Sequence, residues 1–375
     1  MEEHLNYTFP TSYPEILNRV ISIQPSDYAR SRNFIDGAVT QLSPYISRGT
    51  ISTEMVYKHL LKRDVAFSTI EKLVQELAWR DYWQQVWIAK GDEINQDLRH
   101  PQSDVANQEI TAAIVEANTG IKAIDTAIKA LYKTGYLHNH NRMYIAAICC
   151  NMAKNHWHHP AQWMYYHLLD GDWASNALSW QWVAGSNSNK KYVANQENIN
   201  KYCHTKQSGT FLDIPYEAFS DFEIPSGLKS NTQLSLSTDL PTSGVLVISE
   251  EKPTYLFTYY NLDPKWAPTD SNSILILEPS HFKKYPVGEK ALNFAMSLSK
   301  NIEGIQCYVG EFDDLKKSYP KTVFHFKEHP TNNHFKGTVH DRAWMFDVKG
   351  YYRSFFAFWK KCKKEIKNKT VSTQV

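Results

Sequence analysis

Asp170-Gly171-Asp172-Trp173-Ala174-Ser175-Asn176, followed by Trp180-Gln181-Trp182, is the stretch on which the reading of this chain turns. Upstream stands Thr134-Gly135-Tyr136-Leu137-His138-Asn139-His140-Asn141-Arg142-Met143. Together they offer acids, an arginine, amides and indoles at fixed offsets, the set a planar, hydrogen-bonding, redox-active ring requires. A plainer reading stays open. Arg142 could simply pair with Asp170 or Asp172 in a buried bridge, and the acids at i, i+2 could form a turn that caps the next helix. Elsewhere Glu76, Trp79 and Arg80 share one helix face at i, i+3 and i+4, as do Asn139, Arg142 and Met143. Mixed polar and aromatic faces turned inward are costly unless something polar fills the space between them. Trp157, Trp180 and Trp182 sit close by in sequence. Each could be core packing, a stacking platform or an electron-transfer station.

The remaining composition narrows the class. A chain of 375 residues suggests two or three domains, and 42% hydrophobic with 13% aromatic residues is enough for large cores. Net charge of +2 gives no global basic field, so any nucleic-acid surface must be a local patch. The five cysteines show no CxxC spacing, which suggests reduced thiols. With no long apolar run, the expectation is a cytoplasmic protein that spans no membrane. His156-Trp157-His158-His159 lacks the cysteine or carboxylate context of a metal site, so no metal is expected. Walker and GxGxxG loops are absent from the sequence.

Periodicity predicts helices over Thr53–Arg63 and Thr69–Ala89, capped by Ser52 and by a Ser68/Glu71 capping box. Further helices are expected over Ile110–Glu116, Gly120–Tyr132, Tyr136–His156 and Pro160–Leu169. Residues 224–243 are rich in Pro, Gly, Ser and Thr and read as a linker. Beyond it, Val245–Ser249, Tyr255–Tyr259, Ser273–Glu278, Gln306–Gly310 and Thr322–Phe326 read as strands, alternating with helices over Gly288–Lys300 and Glu311–Ser318. A last helix is expected over Tyr351–Lys367. The expected division is a helical domain over 1–223, the linker, an α/β domain over 244–368 and a tail over 369–375.

Four motifs in series resemble the flavin-binding core of the DNA photolyase and cryptochrome family. They are Tyr28–Ser43 with Leu42-Ser43-Pro44-Tyr45, Glu76-Leu77-Ala78-Trp79-Arg80-Asp81-Tyr82, Thr134–Met143 and Asp170–Trp182, covering about residues 15–205. The resemblance implies a mainly α-helical photolyase-type FAD-binding domain followed by a smaller α/β domain. It also implies FAD as cofactor, with any antenna chromophore left open. Tyr28, Thr40, Gln41, Leu42 and Ser43 would hold the diphosphate and ribityl chain, and Arg80 would reach the flavin side. Arg142 would pair with Asp170 near flavin N5, Asp172 would accept from N3, and Asn176 would face N5.

In photolyases an asparagine stands at that last position, and in plant cryptochromes an aspartate. An amide cannot give a proton to N5, so Asn176 leans towards repair. Glu76, Trp79, Asn139, Met143 and Trp182 match the wall that receives cyclobutane pyrimidine dimers, and Asn139 replaces the histidine of (6-4) enzymes. Trp180 and Trp157 match the inner and middle members of a photoreduction chain whose outer member should fall near Asp104. Residues 98–113 contain no Trp or Tyr. The expected activity is light-driven dimer repair by electron transfer from reduced FAD, with Glu76, Asn176, Trp180 and Trp157 in catalytic roles. DNA containing dimers, single strands favoured, is the expected partner of a monomeric protein. The rival is a blue-light receptor without repair activity.

Overall fold

The computed structural model describes residues 7–220 and 222–372. The chain divides into two compact units that interleave in sequence. The first takes residues 1–9, 30–39 and 92–237; the second takes 10–29, 40–91 and 238–375.

The first unit is built from helices. Trp173–Ala184 is apolar on nearly every side, which suits a central helix, and it packs against both Asn139–Ala147 and His158–His167. Lys122–Thr134 is amphipathic and buries Ile124, Ala127, Ile128 and Leu131 on one face. It ends on Gly135 at φ 72°, where an added Cβ would lie 2.7 Å from Leu169 Cγ, so both backbone and packing demand glycine there. The single helix expected over Tyr136–His156 is instead Asn139–Ala147 continued by a π-helical turn, Ile148–Met152. Two strands, β1 (Ile110–Thr111) and β2 (Asn231–Thr232), pair antiparallel, and Thr111 Oγ1 donates to the carbonyls of Leu228 and Ser230. Residues from the expected linker are therefore docked within this unit.

The second unit holds the long helix Phe67–Lys90 and a parallel sheet. The long helix begins at Phe67 with Ala66 as its cap residue, so Ser68 lies inside the first turn and the expected capping box does not form. Burial of Ile70, Leu73, Val74 and Leu77 sets its register. Ser52 does cap Thr53–Leu61, accepting from the Met55 amide.

The sheet consists of β3 (Thr254–Phe257), β4 (Asn272–Leu277), β5 (Ile305–Val309), β6 (Phe324–Lys327) and β7 (Thr338–His340), in the order β5-β4-β3-β6-β7. All pairings are parallel, and every residue of β4 is buried, as a central parallel strand requires. Val245–Ser249 does not become a strand. Its Val247 backbone is instead clasped on both its N–H and C=O by the Gln306 side chain, while Leu246 and Ile248 pack inward.

In this strand order the chain reverses direction between β3 and β6, where doubly wound sheets open a crevice at their carboxyl ends. Here the protein's own side chains fill that place. The Arg48 guanidinium stands 3.7 Å above the Tyr259 ring, and Tyr260 stacks on His329 at 4.5 Å. A cavity of about 20 Å³ remains, room for one water.

The C-terminal helix Phe355–Ser372 lays Phe355, Phe358, Trp359 and Cys362 inward and packs on the long helix. Residues 373–375 of the expected tail lie outside the described residues. Among the described residues no helix is long and apolar enough to cross a membrane, and no group of three or more His, Cys, Asp or Glu could hold a metal ion.

Candidate active site

Asp170 follows the His158–His167 helix in a turn tied to the Gly135 loop, where the Leu169 amide donates to the Gly135 carbonyl at 2.8 Å. A Cβ on Gly171 would meet the Tyr165 carbonyl at 3.0 Å, so the turn closes that tightly only with glycine. This brings Asp170 to Arg142, whose Nη2 donates to both carboxylate oxygens at 2.8 and 3.0 Å. Nε and Nη2 also donate to the Leu137 carbonyl, which anchors the guanidinium to its own helix start. The Asp170 side chain is 3% exposed and that of Arg142 24%, so one end of the pair is buried and the other opens outward.

Asp172 is the N-cap of the next helix, with its carboxylate accepting from the Ser175 amide at 2.7 Å. One turn on, Asn176 Nδ2 donates to the Ala161 carbonyl at 2.8 Å. That fixes the amide and leaves Oδ1 as the end able to accept. The plainer sequence reading, an ion pair and a capping turn, is thus realised in the structure. It is also what a ring-binding site would need.

Trp180 and Trp157 are fully buried in the same unit. Trp157 donates its indole N–H to Asp97 at 2.8 Å, and His156 Nε2 approaches the same oxygen at 3.4 Å. A cavity of about 440 Å³ opens beside them, lined by Asn95, Gln96, Asp97, Gln108, His156, His158 and His159. Asp97 was missed by the sequence reading because it stands 60 residues before its partner and belongs to no motif. Asp104, where the outer tryptophan was sought, instead pairs with Lys191 at 2.7 Å. Asn139 is exposed and contacts Met143, its Nδ2 lying 3.8 Å from sulfur, and Trp182 is 39% exposed with its ring beside Tyr192.

The other candidates belong to the second unit. Tyr28 is half-buried on the Pro25–Ser31 helix. Gln41 takes φ 52°, a conformation uncommon outside glycine, and its side chain accepts from Arg19 at 3.0 Å. Thr40 Oγ1 accepts from the Leu42 amide at 3.4 Å, and Ser43 opens the short helix Ser43–Ser47. Arg80 Nη2 donates to Ser47 Oγ at 2.7 Å, linking the long helix to that turn. Glu76 pairs with Lys72 at 3.3 Å on the partly exposed face. Trp79 stacks on Phe355 of the C-terminal helix, with centroids 3.7 Å apart and rings 10° from parallel, so one of its faces is covered. Next to it Asp81 is buried, accepting from Thr53 Oγ1 and the Met345 amide, and burial pushes its carboxyl up to about 6.

Residues 73–213 match the family described as the FAD binding domain of DNA photolyase. The deoxyribodipyrimidine photo-lyase of Alkalihalophilus pseudofirmus is 30% identical over 170 residues, covering 42% of this chain and 34% of that protein. Cryptochrome DASH of Danio rerio is 29% identical over 168 residues, covering 42% of this chain and 32% of that one. A crystal structure of a Synechocystis cryptochrome aligns at a TM-score of 0.45 and 21% identity, over 52% of this chain and 44% of that one. The matched stretch spans about a third of the length of these curated relatives. Over that stretch the chain is similar to the FAD binding domain of DNA photolyase.

Proposed function

We propose that this protein uses light and FAD to split cyclobutane pyrimidine dimers in DNA, single strands preferred, as a monomeric cytoplasmic lyase. The observation that carries the reading is Asn176, whose Nδ2 is committed to Ala161. The remaining Oδ1 can only accept, which suits a reduced flavin that keeps its N5 proton.

The residues present fit the cofactor in other ways. Ser175 Oγ is buried beside Asp172 without a hydrogen-bond partner among the described residues, and Arg142 opens outward from its pair with Asp170. Both suit a polar ring. Arg142, Asp170, Asp172 and Asn176 would hold the isoalloxazine, while Tyr28, Thr40, Gln41, Leu42, Ser43 and Arg80 would hold the ribityl diphosphate. Reduced FAD supplies the electron that opens the dimer. Glu76 would hydrogen-bond the dimer's base edges, and Trp79, Asn139, Met143 and Trp182 would receive a flipped-out lesion. Trp180 and Trp157 would carry electrons inward during photoreduction, with Asp97 holding the indole N–H of Trp157.

The test illuminates fully reduced protein with a thymine-dimer oligonucleotide, single- and double-stranded, and follows thymine recovery. Recovery is expected, faster on the single strand. No recovery on either form, with reduced flavin confirmed in the same sample, overturns the proposal. One observation favours the rival reading, a blue-light receptor signalling through its C-terminal region: Phe355 already covers a face of Trp79.

A further inference from the structure

We propose that the outer face of the C-terminal helix is a binding strip for single-stranded nucleic acid, formed by Phe356, Lys360, Lys364 and Lys367. At 100° per residue, these side chains fall within about 80° of arc. Phe355, Phe358, Trp359 and Cys362 occupy the opposite side and are buried. Phe356 is 68% exposed, an unusual place for a phenylalanine one residue from a core position, and its ring stands 6.5 Å from Trp79 in an edge-on contact. All three lysines are exposed, and none has an acidic partner within ion-pair distance among the described residues, whereas neighbouring Lys363 pairs with Glu71.

Charge is concentrated here. Residues 353–367 carry six basic side chains and one acid, a net +5, so the remainder of a chain with net charge +2 is at −3. A row of cations with an aromatic ring at one end is the pairing that grips a flexible strand, the cations tracking phosphates and the ring stacking on a base. An anionic lipid surface would also attract the lysines, but a helix that lies on a membrane needs a free apolar face. Here that face is spent on the long helix. The strip deepens the reading above, since it would hold the DNA that flanks a lesion, yet it can be tested without photochemistry.

The experiment measures dark binding of a fluorescent, undamaged oligo-dT by anisotropy, across a salt series, with the flavin-loaded full chain. The variant Lys360→Gln/Lys364→Gln/Lys367→Gln should bind at least tenfold more weakly at low salt. Its slope of log affinity against log salt should fall by about 2, at ~0.7 per lost phosphate contact. Phe356→Ala should weaken binding about tenfold with the slope unchanged. Lys361→Gln, which lies off the strip, serves as control and should match the parent. Wild-type affinity and slope in the triple variant overturn the proposal, as does equal loss in the control. Binding to phosphatidylserine vesicles as tight as to oligo-dT, and lost in the same variants, also overturns it in favour of a membrane. Dark binding that behaves as expected in a protein that repairs nothing would refute the lyase reading alone.

Discussion

The acidic turn around Asp170 and the long helix around Trp79 carry their chemistry in different ways. In the turn, each functional group is held by a neighbour close in sequence or by a single helix start: Asp172 by Ser175, Asn176 by Ala161, Asp170 by Arg142. On the long helix, Trp79 leans on Phe355, Gln84 accepts from Arg342 and Asp81 accepts from Met345, all contributed from more than 250 residues downstream. A turn that organises itself can be read from a short motif. A helix face finished by distant chain cannot.

The sharpest way to break this contrast is Arg142→Ala. It leaves Asp170 buried without its cation, at a cost of about 3–5 kcal/mol, and should lose flavin and thermal stability together. Unchanged flavin absorbance and melting temperature would show that the turn does not depend on the pair.

Acid should separate the two regions next. Burial pushes His138 down to about 4, against an ordinary value near 6.5. Its neutral folded form therefore adds stability that is complete above pH 6.5 and is lost as pH falls through 4, by roughly 3 kcal/mol. Asp81 has the opposite sign. Its carboxyl is raised, so its contribution is present below pH 4 and is lost as pH rises through about 6. Thermal unfolding between pH 4 and 7 should show a flatter acid limb for His138→Gln and a steeper one for Asp81→Asn. Parallel limbs in both variants would remove the distinction.

Phe355→Leu should cost about 1 kcal/mol through the lost stack on Trp79. If the stack restricts Trp79, the same change should raise repair of a dimer oligonucleotide while leaving flavin content alone. Glu76→Ala should change stability least, within ~0.5 kcal/mol, because its ion pair with Lys72, four residues earlier on the same helix, is exposed. Repair should nevertheless fall with flavin absorbance unchanged. Repair at the wild-type rate would remove Glu76 from the substrate wall.

Much of this was legible in the sequence where the deciding interactions are local. The Asp172 cap and four of the five strands of the parallel sheet follow from turn chemistry and periodicity, and the Arg142–Asp170 pair is one of the two pairings the residues left open, the one the family resemblance implied. Three-residue β7 was too short to leave a pattern, and Val245–Ser249 had the pattern of a strand without becoming one. Its place beside β5 is served by a glutamine side chain, a substitution that no periodicity reports. Asp97 was invisible because its partner Trp157 is 60 residues away in the chain and an aspartate there announces no role.

The interleaved units also bear on synthesis. Ribosomal elongation completes every segment of the first unit once Ser237 has emerged, whereas the long helix must wait for residue 355 before Phe355 can cover Trp79. At 5–20 residues per second that delay is roughly 13–50 s. During it Trp79 and Tyr82 lack the aromatic neighbours supplied by the C-terminal helix. A chain halted just short of residue 355 should therefore already resist protease across 122–184 while remaining open to cleavage within 67–90.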